Sequence, residues 1–267
     1  MQIKILQIIL FLSLLLIYSC KDEPVTPSTK TGKININFEH HYNGEILEFD
    51  KFRYVNTAGN QLQFSEIQYF ISDVVLHYHD GSEYLIDAWK DIHYIDSDIP
   101  STLNWSVYDS IPAGVCDSVS FTFGINEAEN QSFLFVNPPE SLMFWPDILG
   151  GGYHYLKLNG KWISDQQQVS PYNFHLGIGQ IYDNEGYITG FVQNYFRVTM
   201  HDQPFEIKAD QATSLSIIMN VESWFDTPNI WDFNYWGGDI MQNQAAMHTA
   251  CENGPDAFSL AFIATGQ

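Results

Sequence analysis

The chain has 267 residues, with 32 Asp or Glu against 11 Lys or Arg, and so carries a formal charge of −21 near neutral pH. That charge repels phosphate backbones and anionic headgroups, which excludes nucleic acid as a partner. Aromatic residues make up 15% of the chain, enough to build a ring-rich core or to furnish exposed ring platforms.

Lys4, an apolar run from Ile5 to Ile17 and the pair Ser19-Cys20 open the chain. The run is too short to span a bilayer and reads as a signal peptide over residues 1–19. A small residue before Cys20 matches the bacterial lipobox, so Cys20 is expected to be acylated and to anchor the protein as an outer-membrane lipoprotein of the cell envelope. Lys21-Asp22-Glu23 resembles the export signal of surface lipoproteins, which adds surface display to the expectation. Residues 20–32, rich in Pro, Thr and Ser, form a flexible tether. The folded domain is expected over residues 33–267.

Within that domain, Ile34, Ile36 and Phe38 alternate with polar neighbours, as do Val119, Phe121 and Phe123, and Leu215, Ile217, Met219 and Val221. Period-two alternation marks half-buried strands. Between these runs lie turn signals at Asn43-Gly44, His79-Asp80-Gly81-Ser82, Pro112-Ala113-Gly114, Asn159-Gly160 and Asn184-Glu185-Gly186. One helix is expected over residues 240–252, stopped by Asn253-Gly254-Pro255. Short strands at this spacing, with no βα alternation, predict an all-β fold. The expected architecture is an antiparallel β-sandwich or Greek-key barrel with one short C-terminal helix.

With Cys20 assigned to lipid, only Cys116 and Cys251 remain, and the sequence leaves their pairing open. The chain has no Cys-x-x-Cys, which excludes thiolate zinc and iron–sulfur sites. It has nine histidines, and imidazole is then the natural ligand for copper or zinc. His40 ends the first strand, His154 lies between Tyr153 and Tyr155, and parity turns His175 away from Phe174. His77 and His79 share a strand face, about 7 Å apart, next to a predicted hairpin tip, and rank second. Asp183-Asn184-Glu185-Gly186 lacks the spaced acidic pattern of a calcium loop. There is no Gly-x-Ser-x-Gly, and no Ser or Cys comes with local catalytic context, so no enzyme is expected.

Taken in order, several segments resemble the MbnP-like copper-binding proteins, a family of exported β proteins related to the CorA- and MopE-type proteins. They are Phe38-Glu39-His40 with Gly44, Tyr54 to Asn60, Ile67 to Val74 with Asp80-Gly81, and Ile111 to Gly114 with Val119 to Gly124. They continue through Met143-Phe144-Trp145, Gly152 to Gly160, Phe174-His175-Leu176-Gly177, Glu222-Ser223-Trp224-Phe225 and Asn253-Gly254. The resemblance implies a copper site using His40 and His175, with Trp145 as the residue converted to kynurenine by a MauG-type di-haem enzyme. Copper stands ahead of zinc or calcium. Where relatives show a second tryptophan shortly after the first, this chain has Pro146-Asp147 and then Gly150-Gly151-Gly152. His154 replaces an apolar residue or lysine and is an extra ligand or an exposed ring. Unperturbed histidine ligands would release metal as pH falls through about 6.5. The competing reading is a carbohydrate- or protein-binding surface module whose platform is the exposed rings among Trp224, Trp231, Tyr235 and Trp236.

Overall fold

The computed structural model describes residues 30–88, 91–201 and 203–262, so the leader, Cys20 and most of the tether lie outside the described residues. The alternation expected for the first strand is realised over Thr31–Tyr42, where Ile34, Ile36, Phe38, His40 and Tyr42 all point inward. This strand and its neighbours Ala212–Asn220, Phe258–Phe262 and Glu45–Ile46 form one sheet. A larger sheet runs in the order Val169–Leu176, Leu156–Ile163, Gln61–Tyr78, Gly114–Phe123 and Phe196–Met200. Phe258 of the first sheet meets Tyr69, Phe121 and Phe123 of the second, and rings such as these form the layer between them. The result is a β-sandwich and not a closed barrel.

The sandwich is not wholly antiparallel. Thr31–Tyr42 pairs in parallel with Ala212–Asn220, Lys33 facing Ala212 and His41 facing Asn220. The two strands lie far apart in sequence, and a connection that long permits parallel pairing, which a hairpin does not.

Asn43 and Gly44 both adopt positive φ, 51° and 80°, as a two-residue hairpin turn of the I′ type requires. Asp80 accepts bonds from the backbone and hydroxyl of Ser82, closing the predicted turn between the long strand and Glu83–Leu85. Asn159-Gly160, by contrast, is not a turn. It lies inside the Leu156–Ile163 strand, where the register against Gln61–Tyr78 shifts at a bulge. The glycine is needed for close approach, because an added Cβ would sit 2.0 Å from the carbonyl oxygen of Gln63 and 2.4 Å from Tyr172 Oη.

The C-terminal helix spans Gln244–Asn253, capped by the Asn243 side chain accepting from Ala246 N. Gly254 keeps a right-handed φ of −55° and runs straight into a 3₁₀ turn with Pro255, so the helix ends by tightening and not by a left-handed glycine. A second helix of one turn, Phe233–Trp236, is capped by Asp232. No helix among the described residues is long and apolar enough to cross a membrane.

Trp224 and Trp231 are fully buried and pack on Phe174, so neither is among the exposed rings of the surface platform considered from sequence. Tyr235 is the ring of the four that stands well out, 76% exposed. Cys116 and Cys251 are free thiols, and Cys251 donates to the carbonyl of Asn194.

Gly44 and Gly160 make a direct comparison. Gly44→Ala has open space and meets only the cost of a left-handed residue, about 1 kcal/mol. Gly160→Ala forces backbone apart and is expected to cost about 3 kcal/mol. Urea denaturation of both variants checks the order.

Candidate metal centre

The Leu156–Ile163 and Val169–Leu176 strands pair so that Leu156 faces Leu176 and Lys157 faces His175. On the other side Leu156 faces Tyr69 and Lys157 faces Gln68. Directly paired residues share a face, and successive residues alternate. Tyr69, Leu156 and Leu176 therefore fill the core, while Gln68, Lys157 and His175 line the outer face of the large sheet.

That outer face is covered by residues 140–154. Two 3₁₀ turns, Glu140–Met143 and Asp147–Leu149, lead to three glycines with positive φ, Gly150, Gly151 and Gly152, which fold the chain back on itself. The return is bonded at both ends, Trp145 N to Gly152 O at 2.8 Å and His154 N to Met143 O at 2.7 Å. Ser132 takes a bond from Gly152 N and donates to Asp147, and Asn130 accepts from Tyr153 N. The Gly-rich stretch seen in the sequence is thus a built turn.

It brings three of the nominated residues together. Trp145 is fully buried, its Nε1 donating to Leu149 O at 3.1 Å, and its ring lies against Gly177, where a Cβ would meet Cε3 at 2.5 Å. The Trp145 and His154 rings meet edge to face at 4.6 Å between centroids, and those of His154 and His175 at 5.1 Å. His154 is buried, and not the exposed ring that was one of its two readings.

Hydrogen bonding fixes both tautomers. Met143 O can only accept, so His154 Nδ1, at 2.9 Å from it, carries the proton and Nε2 carries the lone pair. His175 Nε2 lies 2.8 Å from Asn159 Oδ1, and the Asn159 amide nitrogen donates to Glu66 at 2.8 Å, which orients the amide. His175 therefore presents its lone pair on Nδ1. A ring nitrogen held by an outer oxygen while the other faces inward is the arrangement typical of ligating histidines.

Burial, then the neighbouring His175 and Lys157, push His154 down to about 3. Burial and Lys157 push His175 down to about 4. Both are neutral imidazoles over the whole neutral range.

His40 lies elsewhere. It is buried on the inner face, its ring edge to face with Tyr69 at 5.9 Å, and burial lowers it to about 4. His40 Nε2 and Tyr69 Oη have no hydrogen-bond partner among the described residues. A pocket of about 240 Å³ lined by Phe38, Leu47, Phe49, Ser97 and Leu103 reaches it. The large sheet stands between this inner face and His175.

The His77 and His79 pair is tied up separately. His77 bonds Glu83 and Ser120, and His79 bonds Asp117. At Asp183 the side chain accepts from the backbone of Glu185 and Tyr187, closing a turn. A group that sequence reading did not find, Glu66, Asp96 and Asp98, lies next to Asn159 on the outer face. Its members come from two strands and a turn, with no sequence pattern to join them.

His40, His154 and His175 are neutral when folded and take up protons near 6.5 when unfolded, so below that value the unfolded chain binds more protons. Stability is expected to hold above pH 6.5 and to fall steadily as pH drops towards 4. Urea midpoints measured from pH 8 to pH 4 check it, and His40→Phe should flatten the decline.

The MbnP family model matches residues 31–244. The solved structure of MbnP from Methylosinus trichosporium shares the fold, with a TM-score of 0.57 at 16% identity over 88% of this chain and 100% of that one. No curated protein sequence matches. The matched span covers most of the chain and includes His40, Trp145, His154 and His175, and the chain belongs to the MbnP family.

Proposed function

We propose that this protein is a copper-binding lipoprotein of the bacterial cell envelope, anchored through Cys20, with His154 and His175 as the imidazole ligands and Trp145 beside them. The observation that carries this reading is the contact between two neutral imidazoles, His154 buried and His175 half-buried, whose outer nitrogens are both held by oxygen. Such nitrogens suit copper, and a third nitrogen would tighten the site. Trp145, whose ring meets that of His154, is the residue proposed to supply one. Conversion of its indole to kynurenine by a MauG-type enzyme would turn Nε1, which now donates to Leu149 O, into an aniline nitrogen on the ring that meets His154, in keeping with membership of the family. The role is metal acquisition or sequestration, and the ion is the cargo.

The charge of −21 favours approach of cations to the molecule, while Lys157, whose ammonium bonds Leu142 O, sets one positive charge beside the two imidazoles. Affinity then comes from the imidazoles and not from bulk charge. Because burial has lowered both histidines, proton competition begins well below the value near 6.5 expected of free imidazole. Copper should therefore stay bound at pH 5.5 and be released near pH 4, as equilibrium dialysis would report.

A second reading rests on a different observation. The partnerless Nε2 of buried His40 could hold copper on the inner face, as the resemblance implies. Alanine variants separate the two. His154→Ala and His175→Ala are each expected to lose stoichiometric copper by at least tenfold in affinity, with His40→Ala close to the parent. Loss confined to His40→Ala would move the site to the sandwich interior.

A further inference from the structure

The long strand Gln61–Tyr78 carries a second constellation, independent of the metal reading. His77 faces Glu83 on one side and Ser118 on the other, which makes Ser120 its diagonal neighbour. Diagonal positions on a sheet face are within reach of a long side chain. His77 Nδ1 lies 3.0 Å from Glu83 Oε1, and His77 Nε2 lies 2.5 Å from Ser120 Oγ. Across the next strand Thr199 faces Ser120, so Arg197 is diagonal to Ser120, and its Nη2 donates to Ser120 Oγ at 2.6 Å.

The proton order follows from chemistry. A carboxylate only accepts, so Nδ1 of neutral His77 carries the proton and Nε2 must accept from the Ser120 hydroxyl. A serine hydroxyl bonded to an imidazole that a carboxylate orients is the arrangement of a nucleophile with its general base. Nothing in the metal reading uses these residues.

We propose that Ser120, His77 and Glu83 form a hydrolytic site for small acyl esters. Ser120 Oγ bonds to the ester carbonyl carbon as its proton passes to His77 Nε2, and Glu83 stabilises the imidazolium. The carbon–oxygen bond to the alcohol then breaks, and the alcohol leaves with that proton. Water attacks the acyl-serine, giving one proton to His77, and His77 returns it to Ser120 as the acid is released. The products are one alcohol and one acid for one ester and one water.

Ser120 is 1% exposed, covered by His77 and Arg197. Arg197 is itself exposed; its guanidinium also donates to Asp73 O at 3.1 Å, and rotation about the side chain, which exposed residues make on the picosecond to nanosecond scale, would have to release both bonds. An incoming carbonyl can take its place on Ser120 and receive its guanidinium N–H groups, which then face the developing oxyanion. The site lies on the face of a sheet, and a small acyl group such as acetyl is the simplest probe of it.

Full-length protein in EDTA, treated with a fluorophosphonate, should be phosphonylated at Ser120 as read by peptide mass, and should hydrolyse p-nitrophenyl acetate. Ser120→Ala should abolish both, and His77→Ala should lower hydrolysis by about 100-fold, the usual worth of a general base. Far-UV circular dichroism establishes that each variant is folded. Ser120→Cys keeps the size, and its new thiol should react with iodoacetamide faster when His77 is present than in the double variant with His77→Ala. Folded protein that takes no label at Ser120, hydrolysis unchanged in Ser120→Ala, or a thiol reaction rate in Ser120→Cys that is indifferent to His77 would overturn the assignment.

Discussion

His175 stands opposite Lys157, and Leu176 stands opposite Leu156. The candidate centre depends on that register. A shift of one residue would turn His175 into the aromatic core and put Leu176 on the outer face, because side chains alternate with a period of two. The register is held from within by Leu176, which is fully buried, and by Phe174, which is buried against Trp224, Phe225 and Trp231. It is held from without by the bond between His175 and Asn159. Core packing and the position of His175 are set by the same pairing.

The cover over this face does the rest. Three successive positive-φ glycines let residues 140–154 double back, so that Met143 offers its carbonyl to His154 and Trp145 drops onto Gly177. The same fold-back removes water from the imidazoles and keeps them neutral. A strongly acidic protein thus presents a pair of imidazoles governed by desolvation and by one lysine. The inner-face histidine is also neutral, but its nearest ring neighbours are Tyr69 and the core aromatics.

Much of the fold was legible in the residues. Alternation located the first strand, the Val119–Phe123 stretch and the Leu215–Met219 stretch, and the Asn43-Gly44 and Asp80-Gly81 turns formed where read. Asn159-Gly160 misled because the dipeptide signals a turn equally well as it fits a bulge, and what distinguishes them is the Gln63 backbone across the sheet. The parallel pairing was invisible for a related reason: its partner lies some 180 positions away in the chain. Which of Trp224, Trp231, Tyr235 and Trp236 face solvent was not legible, because composition counts rings without saying which way a 3₁₀ turn or loop points them. Parity turned His175 from Phe174, but that His154 meets it depends on a loop whose path glycine dihedrals decide. The Ser120 constellation joins residues 77, 83, 120 and 197, and no local motif can announce it.

The most direct measurement is the position of copper in crystals of protein purified from its native host, located by anomalous scattering at the copper edge. The account predicts a peak on the outer face of the large sheet, in contact with His154 Nε2 and His175 Nδ1 and beside residue 145. A peak beside His40 and Tyr69 within the sandwich, or none near any of these histidines in copper-loaded protein, would contradict it.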